Sequence, residues 1–415
     1  MKTILLGNNS TICFFVENPN VVHCQNELES LVKLSVRVHL FCTSLPRFDF
    51  GEAVIVHQIL MDSNGLPSSK LLHSTVMLLQ DQFLAPFNLG YWIGIRTRRA
   101  RLKNAFKRAS AIENIVQDLK LGELPMLSYW FDDWSLSLAL LRKWKSIHSF
   151  STQAHGRDLY EHREPSGKKL AFRRATFKEL EKVYCVSQNG LEYLRHKYPR
   201  FQPKLALAYL GSERLYEAQA ANKAKRKFTI SSCSKIRNIK RIHLIAEALL
   251  NFEHEVHWIH FGDLSLDERH HDYSVGRMVR AVQNVKRQNK KVTIELRGDC
   301  TNQEIQKAYA SGEVDLHINT SETEGLPVSM MEAISYGIPL LGIDVGGVKE
   351  IIQRGFGILL EKDFTPEALE EGIRSFEQRK DRKEISEEAK SFWETHFDLH
   401  RNVKNLIEKL TNSSV

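Results

Sequence analysis

Residues 321–347 combine two glutamates with a glycine-led helix start and an apolar strand that ends in paired glycines. Gly325 permits close backbone approach, and Pro327 suits a first helical turn, where its missing N–H has no intrahelical partner. The helix is therefore predicted to begin near Leu326, with its free amides and the positive end of its dipole beside Glu324. Such amides bind phosphate, and each hydrogen bond to a charged group contributes about 1.5–3 kcal/mol.

The carboxylates that flank this helix start are poor phosphate ligands but good acceptors for hydroxyl groups. We therefore place Glu324 on a transferred sugar and Glu332 on the ribose of a nucleotide. The backbone amides of Gly325, Leu326 and Val328 would hold the diphosphate between them. The alternative is a capped surface helix with two acids that bind no ligand. The strand and the paired glycines that follow the helix favour a nucleotide-sugar site.

The elements that must position these side chains alternate between strand and helix. Apolar runs of strand length occur at Val36–Cys42, Lys182–Val186, Phe228–Ser232, His257–Phe261, Val292–Leu296 and Val314–Asn319. Helical patterns lie between them, as at Ile242–Leu250 and Thr301–Ala310, and Glu27–Leu31 predicts a helix before the first run. This alternation predicts parallel sheets that are covered by helices on both faces.

A chain of 415 residues is too long for a single hydrophobic core and suits two α/β domains. The boundary is placed just after Gly211, ahead of a lysine-rich linker. The predicted domains are residues 1–212 and 213–387, and residues 388–415 are predicted to form a C-terminal helix.

The segment from Glu324 to Glu332 resembles the donor-site signature of retaining GT-B glycosyltransferases of family 4, the group 1 glycosyl transferases, in which seven residues separate two glutamates. The resemblance extends over about Phe150 to Leu410 and is most specific at 319–352. It implies the GT-B fold, in which two Rossmann-like doubly wound domains face a central cleft. The first domain would bind the acceptor and the second the donor, and the C-terminal helix would cross back to the first domain.

The resemblance also implies an activity, the transfer of a hexosyl unit with retention of anomeric configuration. The donor would be a nucleotide-diphosphate sugar, with UDP favoured over GDP, and the acceptor a glycan or lipid-linked glycan. The role would lie in cell-surface polysaccharide synthesis, such as that of O-antigen, capsule or exopolysaccharide.

Further residues of the predicted donor domain match positions of the family. Members place an arginine and a lysine five residues apart after the strand at 228–232, and both reach the diphosphate. Lys240 matches the lysine, whereas Lys235 stands at the arginine position and keeps the charge without the bidentate fork. A solvated basic loop is the alternative. Gly298 follows another strand, where its backbone would face the cleft and read the nucleotide base, with a plain turn as the alternative.

In the predicted acceptor domain, His155 and Gly156 follow a buried strand. They resemble the family's interdomain histidine motif, whose imidazole contacts the donor sugar from the acceptor side. Asp158 and Arg163 match a subgroup that builds surface polysaccharides, and both are predicted on the acceptor side. The alternative for His155 is a loop histidine with satisfied hydrogen bonds.

The amino-terminal segment departs from the family pattern. Thr3–Leu6 is predicted as the first buried strand rather than as part of a signal peptide. Typical members follow this strand with a Gly-Gly loop near the donor and acceptor, whereas Asn8–Pro19 contains no glycine. This departure and Lys235 leave an alternative open, a GT-B protein without catalysis that acts as an accessory or sugar-nucleotide-binding subunit, against which the intact Glu324, Lys240 and Glu332 argue. A nucleotide-sugar epimerase on the same fold is a second alternative.

The formal net charge is +8, and much of the excess lies between Arg96 and Arg108. On a helix, Arg96, Arg99, Lys103 and Lys107 share one face. Such a face suits peripheral contact with an anionic membrane, where each basic residue contributes about 1 kcal/mol. A solvated helix face is the alternative. Nucleic acid is not expected as a partner, because no recognition motif accompanies the charge.

Composition also bears on location and metal content. No apolar stretch is long and uninterrupted enough for a membrane span. We predict a cytoplasmic protein from its cysteines, and contact with the inner face of the cytoplasmic membrane from the basic helix face. The six cysteines are scattered without a Cys-x-x-Cys pair, which is typical of reduced core residues rather than zinc ligands. We expect no metal and no cofactor besides the nucleotide-sugar donor, since protein cations would neutralise the leaving diphosphate.

Overall fold

The computed structural model describes residues 10–60, 95–161, 172–219, 227–263, 274–353 and 355–412, without the side chains of residues 95–98, 157 and 274. The chain divides into two compact units. The first unit consists of Met1–Leu210 and Leu399–Val415, and the second of Gly211–Asp398.

The first unit is built on a seven-stranded parallel sheet in the order β3-β2-β1-β4-β5-β6-β7. Its strands are β1 (Thr11–Phe15), β2 (Arg37–Cys42), β3 (Val54–Gln58), β4 (Met126–Ser128), β5 (Ser151–Ala154), β6 (Val183–Cys185) and β7 (Leu205–Leu207). Its helices up to this point in the chain are α1 (Val22–Lys33), α2 (Ile95–Asp118), α3 (Asp133–Lys143), α4 (Gly156–Leu159), α5 (Arg173–Glu179) and α6 (Gln188–Lys197). Short 3-10 turns occupy Gly51–Ala53 and Pro199–Lys204.

Both faces of this sheet are buried at its central strands, as is usual for a parallel sheet, whereas the edge strand β3 is partly exposed. Successive side chains of a strand point to opposite faces. Accordingly, Cys13 and Phe15 of β1 belong to one apolar core, whereas Ile12 and Phe14 belong to another.

The amino-terminal prediction is partly corrected. Thr3–Leu6 lies outside the described residues. β1 (Thr11–Phe15) lies within Asn8–Pro19, which we expect to be a loop. The β-branched and aromatic run Thr-Ile-Cys-Phe-Phe explains the strand, because such residues pack well on a pleated, buried surface. The connection to α1 therefore begins only after Phe15.

The second unit has a six-stranded parallel sheet in the order β10-β9-β8-β11-β12-β13. Its strands are β8 (Phe228–Cys233), β9 (Val256–Phe261), β10 (Val292–Gly298), β11 (Leu316–Asn319), β12 (Leu340–Ile343) and β13 (Gly357–Leu360). Its helices are α7 (His243–Leu249), α8 (Ser274–Gln288), α9 (Asn302–Ala310), α10 (Val328–Ser335), α11 (Val348–Ile351), α12 (Pro366–Gln378) and α13 (Arg382–His396), and Asn238–Lys240 forms a 3-10 turn. The sheet order is that of a Rossmann fold, whose order reverses between its first and fourth strands.

The C-terminal prediction of one helix over 388–415 is corrected. Two helices occupy this region, α13 in the second unit and α14 (Leu399–Asn412) in the first. α13 stays with the second unit because Trp393 is buried there and its indole N–H donates to Ser212 Oγ at 2.9 Å. α14 crosses back as predicted, and its apolar side chains share a core with α1. The buried side chains of α14 are Leu399, Val403, Leu406, Ile407 and Leu410.

Candidate functional site

Lys240 and Glu324 follow the two neighbouring strands of the second sheet between which the strand order reverses. Lys240 lies in the segment after β8, and Glu324 lies in the loop after β11. Ligands of such sheets bind at this switch point, outside the carboxyl ends of the strands. The topology therefore brings two residues that are distant in sequence to the position where a ligand is expected.

Glu324 accepts three hydrogen bonds on one carboxylate oxygen. Lys240 Nζ donates to its Oε1 at 2.5 Å, Ser321 Oγ at 2.6 Å and Asn319 Nδ2 at 3.3 Å. The Lys240 and Glu324 side chains are 24% and 12% exposed, so the ion pair is largely withdrawn from solvent. The structure thus joins two of the predicted catalytic residues directly.

Arg241 fixes the loop that carries Glu324, and sequence reasoning does not single it out. Its Nε donates to the Thr320 carbonyl at 2.9 Å and its Nη2 to the Ser321 carbonyl at 3.2 Å. The Glu322 amide also donates to the Ile239 carbonyl at 2.7 Å. The two segments at the switch point are therefore tied together by backbone and side chain. The sequence signal is a second basic residue directly after Lys240.

The paired glycines after β12 are required by a close approach to the Glu324 loop. Gly346 has a φ of +56°, and a Cβ there would lie 2.0 Å from the Glu324 carbonyl oxygen. The Gly347 amide donates to the Gly325 carbonyl at 2.8 Å, and a Cβ on Gly347 would lie 2.4 Å from the same oxygen. Residues with side chains would displace the backbone of Glu324 and Gly325.

The start of α10 differs from the prediction. The helix begins at Val328, and Pro327 is its N-cap with φ −73° and ψ 112°. The predicted start near Leu326 is too early because a proline disfavours helical geometry in the residue before it. Gly325 and Leu326 therefore lie in the preceding loop. The amide of Met330 makes the first hydrogen bond of the turn, to the Pro327 carbonyl at 3.2 Å, so the Val328 amide is not used within it.

Glu332 lies on α10 and is 5% exposed. Its Oε1 accepts a hydrogen bond from Asn302 Nδ2 at 2.5 Å. Burial raises the pKa of Glu332 to about 7, and the bond from Asn302 acts in the opposite direction. A carboxyl group with this pKa changes its charge near neutral pH.

Lys235 and Gly298 make fewer contacts with other residues than Lys240 and Glu324 do. Lys235 is exposed, and no hydrogen bond or ion pair joins it to another residue in the described ranges. Gly298 has a φ of +72° at the end of β10, and a Cβ there would meet no atom within 4 Å. Its carbonyl accepts from the Gly262 amide at 2.8 Å. The donor roles of both residues stay predictions.

In the first unit, His155 is buried against two aromatic rings. Its ring centroid lies 4.6 Å from that of Tyr129 and 4.6 Å from that of Trp130. Burial lowers the pKa of His155 to about 3, with a smaller contribution from His23, so the imidazole is neutral at pH 7. Its Nε2 has no hydrogen-bond partner among the residues that the structure describes. Its catalytic role stays a prediction.

Asp158 holds the turn that carries His155. Its Oδ1 accepts from the His155 amide at 2.8 Å, and its Oδ2 accepts from the Phe131 amide at 2.5 Å. Burial raises the pKa of Asp158 to about 6, while the bond from Phe131 acts against the rise. Both carboxylate oxygens thus accept hydrogen bonds from backbone amides. The acceptor-side role of Asp158 stays a prediction. Arg163 lies outside the described residues.

Arg173 completes this part of the first unit and was not expected from the sequence. The buried guanidinium donates to the carbonyls of Phe131 at 3.2 Å, of Leu159 at 3.0 Å and of Asp158. The sequence offers no signal for it, because an arginine at a helix start is ordinarily solvated.

Within the described ranges, no group of three or more histidine, cysteine, aspartate or glutamate side chains is arranged to hold a metal ion. The same part of the chain has no helix that is long and apolar enough to cross a membrane.

Comparison with known proteins assigns the second unit to a family. Residues 216–392 match the family model described as "Glycosyl transferases group 1". The chain contains a group 1 glycosyltransferase domain. Lys240, Glu324 and Glu332 all lie within the matched residues, so this domain holds the predicted donor site.

Solved structures similar to the chain establish its fold. Sucrose-phosphate synthase from Thermosynechococcus elongatus aligns with a TM-score of 0.71 and 12% identity, over 97% of this chain and 98% of that chain. The Anabaena protein HepE, in complex with UDP and glucose, aligns with a TM-score of 0.67 and 15% identity, over 96% of this chain and 99% of that chain. The glycosyltransferase domain is thus part of a GT-B fold, as the resemblance implies.

One curated relative matches only locally. The O-antigen biosynthesis glycosyltransferase WbnH of Escherichia coli is 47% identical over 58 residues. This match covers 14% of the chain and 17% of the relative. It supports the assignment of the glycosyltransferase domain and leaves the activity of the whole protein to be proposed.

Proposed function

We propose that the protein is a retaining glycosyltransferase that moves a hexosyl unit from a nucleotide-diphosphate sugar to a glycan or lipid-linked glycan. The observation that carries the proposal is the Lys240–Glu324 ion pair at the switch point, with Glu332 on the following helix of a group 1 glycosyltransferase domain. We favour UDP over GDP, since HepE is described in complex with UDP and glucose. The name of WbnH supports a role in cell-surface polysaccharide synthesis.

Donor binding would use groups that the second unit already orients. Glu332 accepts hydrogen bonds from ribose hydroxyls, and Glu324 accepts them from the transferred sugar. The diphosphate lies near the amino end of α10, where the Val328 amide and the helix dipole favour an anion. Lys240 then exchanges part of its contact with Glu324 for a contact with the diphosphate. The backbone at Gly298 is left to read the base.

The reaction would proceed on one face of the sugar. The bond between the anomeric carbon and the phosphate oxygen breaks, and the acceptor oxygen bonds to the same carbon from the same side. The acceptor hydroxyl gives its proton to the departing phosphate oxygen, so that the products are the glycoside and the nucleoside diphosphate. Lys240, Lys235 and the helix amides stabilise the charge that develops on the leaving group. His155, neutral at pH 7, is suited to hydrogen bonding rather than to charge stabilisation.

The proposal includes no metal, since fixed cations and amides supply the positive potential that a divalent ion supplies elsewhere. Removal of divalent ions by a chelator is therefore expected to leave transfer unchanged.

A peripheral contact with an anionic membrane completes the proposal and places the enzyme at the inner face of the cytoplasmic membrane. Arg99 and Lys103 of α2 are exposed, and Lys107 is half-buried on the same helix. The opposite face of α2 is buried in the core of the first unit. Basic side chains on such a face contribute about 1 kcal/mol each near anionic lipid. The Arg96 side chain lies outside the described residues.

The proposal is tested by calorimetry with UDP, GDP and ADP and with their sugar forms. We expect selective binding of the uridine forms, and a loss of about 10- to 100-fold in Glu332→Ala, because each hydrogen bond to a charged group contributes about 1.5–3 kcal/mol. The matched control is Glu371→Ala, which removes an exposed glutamate of α12.

Two outcomes would contradict the proposal. Absence of binding to all nucleotides would favour the accessory subunit. Conversion of the donor sugar without release of nucleoside diphosphate would favour the epimerase.

A further inference from the structure

We propose that Asn302 and Gln306 are positioning residues for Glu332: Asn302 engages one oxygen of its carboxylate, Gln306 orients Asn302, and the other carboxylate oxygen is left to accept hydrogen bonds from the ribose. The inference rests on the proposed function, since it takes a nucleotide as the ligand. It concerns two side chains of α9 that need not touch that nucleotide.

The two amide side chains form a short relay on one face of α9. Residues four apart on a helix are neighbours, and Gln306 Nε2 donates to Asn302 Oδ1 at 2.8 Å. Asn302 Nδ2 in turn donates to Glu332 Oε1 at 2.5 Å. No described residue donates to Glu332 Oε2. The carboxylate is therefore held by one oxygen only.

The direction of the relay is set at its far end by backbone groups. Gln306 Oε1 accepts from the Leu215 amide at 2.9 Å and from the Tyr336 hydroxyl at 2.7 Å. The Tyr336 oxygen accepts from the Tyr216 amide at 3.2 Å. A backbone N–H can only donate, so the carbonyl oxygen of Gln306 must face Leu215. Its NH₂ group must then face Asn302, and the NH₂ group of Asn302 must face Glu332.

This fixed orientation makes Asn302 a permanent donor to Glu332. A donated hydrogen bond stabilises the ionised form of a carboxyl group against burial. The ionised form is the better acceptor for hydroxyls, because neither of its oxygens carries a proton and both can accept. The relay thus keeps Glu332 closer to the state that binds a ribose.

The other titratable groups near Glu332 do not add charge at neutral pH. Burial raises the pKa of Cys233 of β8, of Tyr309 of α9 and of Tyr336 after α10, and the charge of Glu332 adds to each rise. All three groups are therefore neutral near pH 7. The terminal phosphate of UDP itself titrates at about pH 6, so a pH-dependent change in the preference for UDP over 2′-deoxy-UDP, in which the phosphate cancels, would report Glu332.

The test compares binding of UDP and 2′-deoxy-UDP by calorimetry between about pH 6 and pH 9. In the wild type we expect UDP affinity to fall as the pH falls through about 7, because Glu332 becomes protonated. Asn302→Leu removes the donor and so raises the pKa of Glu332. The affinity midpoint then moves to higher pH, and the preference for UDP over 2′-deoxy-UDP falls about tenfold.

Two further variants protect the test against a simple loss of folding. Gln306→Glu keeps the acceptor for Leu215 and Tyr336 but cannot donate to Asn302 when ionised, and we expect a smaller shift in the same direction. Gln303→Leu changes the exposed neighbour of Asn302 on the same helix and should leave both readouts at the wild-type values. Thermal unfolding of each variant reports its stability separately.

The outcomes separate the inference from the proposed function. A uniform loss of affinity in Asn302→Leu and Gln306→Glu, with unchanged pH midpoint and unchanged preference for UDP, would overturn the inference alone. A folded wild-type protein that binds no nucleotide would overturn the proposed function and the inference together.

Discussion

Replacing Gly346 with alanine tests how closely the turn after β12 approaches the Glu324 loop. The added Cβ would lie 2.0 Å from the backbone carbonyl oxygen of Glu324, and Gly346 has a φ of +56°. Neither problem can be relieved by a change of rotamer, because alanine has none and the opposing atom belongs to the backbone. The variant must therefore move the turn or the loop.

The expected loss of unfolding free energy in Gly346→Ala is the sum of two separate costs. The left-handed conformation costs an L-residue about 1–2 kcal/mol. Forcing extra atoms into a packed region costs about 1–3 kcal/mol. Gly346→Ala is therefore expected to lower the unfolding free energy by about 2–5 kcal/mol. Gly298 is the matched control, because its φ is +72° but its Cβ would meet no atom within 4 Å, so that Gly298→Ala carries only the first cost.

The assay is urea unfolding of the wild type and both variants. Both glycines lie in the second unit, so both variants act on the same unfolding transition. The buried Trp258 of β9 provides a fluorescence signal within that unit. Equal losses of stability in the two variants would refute the close approach of Gly346 to Glu324.

Two further predictions concern charge in the second unit. Lys240→Met and Glu324→Gln, alone and combined, should show a coupling of about 1–2 kcal/mol in urea unfolding, between the values for exposed and for buried ion pairs; strictly additive losses would argue against the pair. Burial lowers the pKa of His260 to about 4 and of His317 to about 3, so the unfolded chain binds protons below about pH 6.5 that the folded chain does not. Each histidine should therefore lower the unfolding free energy of the second unit by about 2 kcal/mol between pH 7 and pH 5, while Glu332, whose pKa is raised to about 7, acts in the opposite direction by a similar amount. The profile is therefore measured in Glu332→Gln, where a flat profile over this range would contradict the burial of the two imidazoles.

Much of the fold follows from local patterns in the sequence. The run at Val314–Asn319 corresponds to the central strand β11 (Leu316–Asn319), which is buried on both faces. The run at Val292–Leu296 corresponds to the edge strand β10 (Val292–Gly298), in which buried Val292 and Ile294 alternate with the more exposed Thr293 and Glu295. The interruption between the two C-terminal helices, α13 and α14, was not predictable in this way. Residues 382–412 have helical periodicity throughout, and the division at Asp398 depends on which unit each half packs against.

The residues of the candidate site also differ in whether the local sequence predicts them. Glu324 and Glu332 were identified from their spacing, and Lys240 from the resemblance. Arg241 and Asn302 were not identified, because their roles depend on partners that lie far away in the sequence, at Thr320 and Glu332 respectively. Nothing in the local sequence distinguishes such residues from ordinary polar side chains.

The return of α14 to the first unit has a consequence for biosynthesis. In chain order, the second unit is an insertion between Leu210 and Leu399, and the first unit is discontinuous. The core that contains Phe14 of β1 also contains Leu406 and Leu410 of α14. A ribosome that has released the first 210 residues has therefore not yet delivered the helix that covers this core. The first unit to be translated is the last to be completed.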